Sequence, residues 1–144
     1  MTTVNSDYVT LEQAEERLIQ VRPLLEAARR TKREIETIAA AFDYDEVLLE
    51  QEKPRIQALV HKLGEMIDEL EQLGCYIKDL DIGLLDFLST FEGRDIFLCW
   101  KLGEDHVAHW HEIDEGFSNR QDILDMTQLD FEWEFETPIV ENQN

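Results

Sequence analysis

The chain has 144 residues, which is enough for one domain with a single core, and its 33 acidic against 13 basic residues give a formal net charge of -20 at pH 7. So large a negative charge argues against binding to nucleic-acid phosphates and to anionic membrane surfaces. The hydrophobic content of 43% is that of a globular chain. We therefore expect one folded acidic domain with neither nucleic acid nor membrane as a partner.

The beginning of the chain and its cysteines both bear on the cellular compartment. Residues 1–10 hold no Lys or Arg and no long apolar run, so they do not resemble a signal peptide. Cys75 and Cys99 are far apart and belong to no CxxC motif, which is typical of buried thiols in a reducing compartment. We expect a cytoplasmic protein.

A long amphipathic helix is predicted in the first third of the chain. Apolar residues recur three or four apart from Leu11 to Phe42, which places them on one side of a helix. Thr10 and Gln13 have the spacing of a capping box and predict its start. Pro23 lies within the pattern, which stays in phase on both sides, so we expect a bend there and no break.

A second amphipathic helix follows, with apolar residues at helical spacing from Ile56 to Leu73. It begins either near Glu46, with Pro54 bending it, or at Pro54 itself, where the missing N–H costs little. Gly74 is expected to end it. Two long helices with a short connection predict an antiparallel hairpin whose apolar stripes meet.

After the helices, short apolar runs separated by turn residues predict an antiparallel β-meander. The predicted strands are Cys75–Lys78, Gly83–Phe87, Asp95–Lys101 and Val107–Ile113. Both faces of the third strand are apolar, so the hairpin is expected to cover one face, with Trp100 in the core. The C-terminal segment or a second subunit would cover the other.

The predicted fold class is therefore α+β, with a helical hairpin over residues 10–73 and a small sheet over 75–121, together one domain at 1–121. Residues 122–144 form an acidic C-terminal extension. Within it, Leu129–Glu136 alternates strictly between apolar and acidic residues. That pattern favours an ordered edge strand of the same chain over a disordered interaction tail.

Several short motifs of the strand half resemble domain-of-unknown-function family 2203. They are Gly83-Leu84, Asp86-Phe87, Gly93-Arg94, the run from Leu98 to Glu104, Trp110-His111-Glu112 and Arg120-Gln121, and the opening Tyr8–Glu12 is also similar. The resemblance covers most of residues 8–121. It implies a small bacterial protein with a helical hairpin followed by a little sheet, and no established activity.

His111 is the histidine inside the family-like motif, and His109 would share its face of the predicted strand. With Cys99 these two histidines form our candidate metal set, which Cys75, Asp86, Glu104 or Glu112 could complete. The alternative is that His111 is a hydrogen-bonded structural residue.

Cations are scarce in the strand half, and each has two interpretations. They could pair with carboxylates, or they could converge on a small anionic ligand with His111 as acid or base. The candidate ligand-binding set is Lys78, Asp86, Arg94, Glu104, His111, Glu112 and Arg120.

Function is only loosely bounded by these features. No GxSxG elbow, Walker loop, dinucleotide-binding glycine pattern or HExxH motif is present. The interpretation we favour is a non-enzymatic binding or scaffold domain, with a homodimer or a protein partner. The alternatives are a metal-binding or small-anion-binding enzyme that uses His111, and an acidic mimic of nucleic acid. Enzymatic activity stays open, and the cofactor is unknown.

Overall fold

The computed structural model describes residues 8–123 as two helices followed by a five-stranded antiparallel sheet. The helices are α1, Leu11–Ala41, and α2, Glu46–Gln72. The strands are β1 (Cys75–Asp79), β2 (Leu84–Phe91), β3 (Arg94–Lys101), β4 (His109–Glu112) and β5 (Gln121–Asp122), paired in that order. A 3-10 turn, Phe117–Asn119, precedes β5. The α+β class, the helical hairpin and the meander are thus confirmed.

The first helix begins where the capping-box pattern predicted. The Thr10 hydroxyl accepts from the Gln13 backbone N–H at 3.1 Å, and the Gln13 side chain accepts from the Thr10 N–H at 2.9 Å. Pro23 lies inside α1, which continues through it without a break. The apolar stripe on both sides of Pro23 stabilises the helix across the missing hydrogen bond.

The second helix takes the earlier of the two predicted starts. The Asp45 side chain accepts from the backbone N–H groups of Val47 and Leu48 and so caps a helix that begins at Glu46. Pro54 therefore lies inside α2.

The core forms between the hairpin and one face of the sheet. Trp100 is fully buried there, as predicted, and its indole N–H donates to the Glu104 carbonyl oxygen at 3.0 Å. Alternate strand residues point to the same face, so the core-facing set follows the pleat. Its main members are Leu18, Val21, Leu25, Leu70, Leu85, Phe87, Ile96, Leu98 and Trp100.

Two strand boundaries differ from the prediction by more than one residue, each for an identifiable reason. β2 extends to Phe91, since a two-residue turn at Glu92 and Gly93, with φ of 53° and 78°, lets β2 and β3 pair up to the turn. β4 starts only at His109. Val107 does not extend the ladder because its N–H donates instead to the Glu15 side chain, at 2.6 Å.

The last described segment returns to the sheet. β5 pairs with β4 through Gln121 and Asp122, so the sheet includes the first residue of the predicted extension. The edge strand predicted at Leu129–Glu136 lies outside the described residues. None of the helices within residues 8–123 has the length and apolar character that crossing a bilayer requires.

Candidate functional site

The register of the sheet brings polar residues together on the face turned away from the hairpin, which we call the outer face. The two-residue turn pairs Asp86 on β2 with Cys99 on β3, and Cys99 in turn lies opposite His109 on β4. His111, two residues further along β4, lies opposite Phe97. These residues alternate with core residues along their strands, so their side chains point to the outer face.

Three of these side chains form what we call the buried cluster: Asp86, Cys99 and His111. Their exposed fractions are 1%, 1% and 2%. One ligand atom from each, a carboxylate oxygen, the thiol sulfur and an imidazole nitrogen, lies within 4.8 Å of the other two. Polar side chains buried so completely need partners for their charges and hydrogen bonds.

The hydrogen bonds of His111 define where protons lie in the cluster. Its Nδ1 is 2.8 Å from the Glu112 carbonyl oxygen, which can only accept, so Nδ1 donates. Its Nε2 is 3.1 Å from Asp86 Oδ2, and a single proton fits between these two atoms. The other carboxylate oxygen, Asp86 Oδ1, is buried and has no hydrogen-bond partner among residues 8–123.

Burial sets the protonation of the acid and of the thiol. It raises the pKa of Asp86, while nearby His111 partly counteracts the rise. Burial, reinforced by the Asp86 carboxylate, raises the pKa of the Cys99 thiol to about 12. The Cys99 thiol is therefore protonated at neutral pH.

This arrangement does not suit a cysteine nucleophile. His111 is not placed to act as the histidine base of such a thiol, because both of its ring nitrogens already face oxygen atoms. The pKa of Cys99 is also raised, whereas a nucleophilic thiol needs a lowered one. A sulfur, a nitrogen and an oxygen donor instead make up the kind of mixed set that holds Zn²⁺ and related divalent ions.

An ion pair borders the cluster beside the sulfur. Both terminal nitrogens of Arg120 donate to the Glu104 carboxylate, Nη1 at 3.3 Å, and Nη1 also lies 3.9 Å from Cys99 Sγ. The guanidinium carbon lies 4.4 Å from the centre of the Phe117 ring. The Glu104 carboxylate accepts from the Lys101 backbone N–H as well, at 2.9 Å. Arg120 is therefore held by a carboxylate of the strand half, as its charge surroundings suggested.

The pKa values of this pair shift in opposite directions, and both shifts favour the charged form. Burial alone would raise the pKa of Glu104, but hydrogen bonds from Arg120 and from the Lys101 backbone lower it below its usual value. Burial alone would lower the pKa of Arg120, but the hydrogen bond to Glu104 raises it. Both groups are charged at neutral pH.

His109 lies on the outer face, as does His111, but its close contacts are different. It is about one-quarter exposed; its Nε2 is 3.3 Å from Asp122 and its Nδ1 is 3.8 Å from Glu104. It is not among the residues that meet in the buried cluster. Of the candidate metal set, the structure brings together Cys99 and His111, with Asp86 as their neighbour.

The remaining cations of the candidate ligand set have separate partners. Arg94 donates to both oxygens of Glu112, at 3.0 and 2.7 Å, and to Glu92 at 3.2 Å. The ammonium of Lys78 lies 5.9 Å from the centre of the Phe97 ring. Arg94 and Arg120 are each paired with a carboxylate, so their charges are already balanced inside the protein.

Cys99 and His111 belonged to the predicted metal set, and Asp86 was one of four residues expected to complete it as well as a member of the anion-binding set. The register across the turn at Glu92 and Gly93 places Asp86 opposite Cys99 and so selects it from those four. That register could have been derived from the sequence, because a two-residue turn fixes which residues of the two strands pair. The contact between Phe117 and Arg120 had no sequence signal, since it depends on the fold of an irregular segment.

A comparison with protein-family models finds one match that covers most of the chain. The model described as "Uncharacterized conserved protein (DUF2203)" matches residues 7–123. Neither the curated proteins nor the solved structures contain a match to this chain.

Proposed function

The chain belongs to the DUF2203 family, and from that premise we propose that it is a non-enzymatic binding domain whose ligand is a single divalent transition-metal ion. The buried cluster would hold the ion through the carboxylate of Asp86, the thiolate of Cys99 and Nε2 of His111. Three protein ligands leave one further position for water or another small ligand in a four-coordinate site.

The observation that carries this proposal is the buried, unpartnered oxygen of Asp86. Its Oδ1 has no hydrogen-bond partner among residues 8–123, although the side chain is almost fully buried. Leaving such an oxygen unsatisfied costs about 1–3 kcal/mol, so native proteins rarely keep one without a reason. A cation beside the carboxylate would remove that cost.

Charge balance and donor chemistry support a divalent ion. With Asp86 and Cys99 ionised and His111 neutral, the three ligands carry two negative charges, which a divalent ion neutralises inside a buried site. The hydrogen bond from Nδ1 to the Glu112 carbonyl fixes the tautomer that leaves Nε2 free to bind metal. Ligand atoms around a four-coordinate Zn²⁺ lie roughly 3.5 Å apart. The three candidate atoms lie within 4.8 Å of one another, so they would have to move closer together to bind the ion.

The test is a titration of the chelator-treated full chain with Co²⁺, a spectroscopic substitute for Zn²⁺. We expect one equivalent to bind, with a sulfur-to-cobalt charge-transfer band in the near ultraviolet. Cys99→Ser should abolish that band. Mutating a residue that only hydrogen-bonds to a metal ligand typically weakens metal binding ~10–100-fold. Asp86→Asn and His111→Gln should each weaken it by more than that.

Two variants serve as matched controls. Cys75→Ala removes the other buried thiol, which lies in the core, and His109→Gln removes the other histidine of the outer face. Both should keep the cobalt band. Loss of the band in His109→Gln would instead favour the set Cys99, His109 and His111, and a wild-type chain that binds no Co²⁺ or Zn²⁺ would refute the proposal.

A cytoplasmic location and a homodimer or protein partner belong to the same proposal. Cys75 and Cys99 are both free and buried, and a thiol that serves as a metal ligand is best preserved in a reducing compartment. Light scattering of the full chain, with and without metal, would give its solution mass. Cell fractionation would test the location.

A further inference from the structure

We infer that Arg120 is a positioning residue for this metal site, which sets the strength of the Cys99 thiolate as a ligand by donating a hydrogen bond to its sulfur. The inference rests on the proposed metal function and adds a specific role to a residue that does not itself bind the ion.

The guanidinium of Arg120 lies close to the sulfur of Cys99. Arg120 Nη1 lies 3.9 Å from Cys99 Sγ, within reach of an N–H···S hydrogen bond. Its orientation is fixed on two other sides, by the carboxylate of Glu104 and by the ring of Phe117. A guanidinium has five N–H donors in a rigid plane, so it can bind Glu104 and still face the sulfur.

In the metal-bound state the sulfur of Cys99 would carry negative charge, although it is almost completely buried. The N–H of Arg120 is a cationic donor aimed at that atom, so it stabilises the thiolate. Since Glu104 balances the charge of Arg120, the pair adds no net positive charge that would repel the ion.

This hydrogen bond would affect the spectrum of a metal bound to Cys99. A donor to a metal-bound thiolate withdraws electron density from sulfur, which tunes the covalency of the metal–sulfur bond. Without the donor, sulfur gives up an electron to the metal more easily. The charge-transfer band should then move to longer wavelength, a change that a purely structural role of Arg120 would not produce.

The experiment compares Co²⁺ binding by the full-length wild type and Arg120→Gln. We expect Arg120→Gln to bind Co²⁺ about 10–100-fold more weakly, with the charge-transfer band at longer wavelength. Lys101→Gln is the matched control. Like Arg120, Lys101 carries a positive charge beside the ring of Phe117, but none of its described contacts is with the sulfur of Cys99. This variant should change neither quantity.

Arg120→Lys is a second variant that still tests the role of Arg120 if Arg120→Gln is too unstable to fold. Lysine retains the charge beside Glu104 but lacks the planar fork that serves both Glu104 and the sulfur. We expect a band shift in the same direction and of smaller size, with an unchanged circular dichroism spectrum.

The outcomes separate this inference from the proposal beneath it. If the wild type binds Co²⁺ and both Arg120 variants show its affinity and band position, only the role of Arg120 is overturned. The same holds if Lys101→Gln shifts the band as much as Arg120→Gln does. A wild type that binds no metal overturns the metal site and this inference together.

Discussion

Asp86 on β2 and His111 on β4 are joined by a hydrogen bond of 3.1 Å that passes over β3, although their two strands do not pair with each other. The bond braces three neighbouring strands on the outer face, beside Cys99. In the absence of metal, a proton occupies the position between the carboxylate and the imidazole. The same contact therefore has a structural role without the ion and a binding role with it.

Asp86→Asn should separate these two roles. Asparagine has nearly the same shape, and its amide can donate to His111 Nε2, so the brace survives without a charge that burial disfavours. We expect the free energy of unfolding of the metal-free protein at pH 7 to stay within about 1 kcal/mol of the wild type, as measured by denaturant titration. Metal affinity should fall sharply. A variant that binds Co²⁺ as tightly as the wild type would contradict the assignment of Asp86 as a ligand.

Arg94→Gln should change how stability depends on acid pH. Hydrogen bonds from Arg94 lower the pKa of Glu112, so the pair stabilises the fold above the unfolded-state value near 4.3 and loses this effect as pH falls through the lowered value. The pair is partly exposed, so we expect a difference from the wild type of about 1 kcal/mol or less at pH 7. The part of that difference that comes from the ion pair should disappear in strong acid, where Glu112 is protonated. Urea unfolding midpoints measured from pH 2 to 7 would show it, and a difference independent of pH would contradict the pairing.

Trp100→Ala should strongly destabilise the fold. The indole is fully buried between sheet and hairpin, and truncating a buried aromatic residue costs about 3–5 kcal/mol. Trp100→Phe keeps most of the apolar contact and loses the hydrogen bond to Glu104, so it should cost clearly less. Denaturant unfolding followed by circular dichroism gives both values. An unchanged midpoint in the alanine variant would show that the side chain is not buried.

Both cysteines should resist thiol reagents in the folded protein. Burial raises the pKa of Cys75 and of Cys99 to about 12, so neither is a thiolate near neutral pH. A disulfide reagent at pH 8 should label neither until denaturant is added, and then both. Cys75→Ala isolates the signal of Cys99 in the same assay. Rapid labelling of that variant in its native state would contradict the burial of the cluster.

The parts of the fold that follow from local rules were predictable from sequence. The capping box at Thr10 and the apolar stripe of α1 depend on residues a few positions apart, and the structure confirms both. The start of α2 was ambiguous because Pro54 is tolerated both in a first turn and inside a helix that tertiary contacts hold together. Only the cap at Asp45 decides between the two.

The candidate site was harder to predict, because it depends on register across three strands. His109 and His111 are two residues apart on a predicted strand, so the sequence indicated that they would share a face. Which of them reaches Cys99 and Asp86 is decided by side-chain reach over β3, and sequence spacing does not specify it. That Arg120 would pair with a carboxylate was predictable, because acidic residues far outnumber the cations of the strand half. That the carboxylate belongs to Glu104 depends on the loop after β3.

The turn at Glu92 and Gly93 also constrains how this gene can change in length. Adding or deleting one residue there would shift the pairing of β2 and β3 by one position. Asp86 would then lie opposite a core residue of β3 and no longer opposite Cys99. The connection at 42–45, where Tyr44 is almost completely exposed, faces no such restriction. Evolutionary insertions and deletions should therefore accumulate at the tip of the helical hairpin, while the β2–β3 turn keeps its two residues.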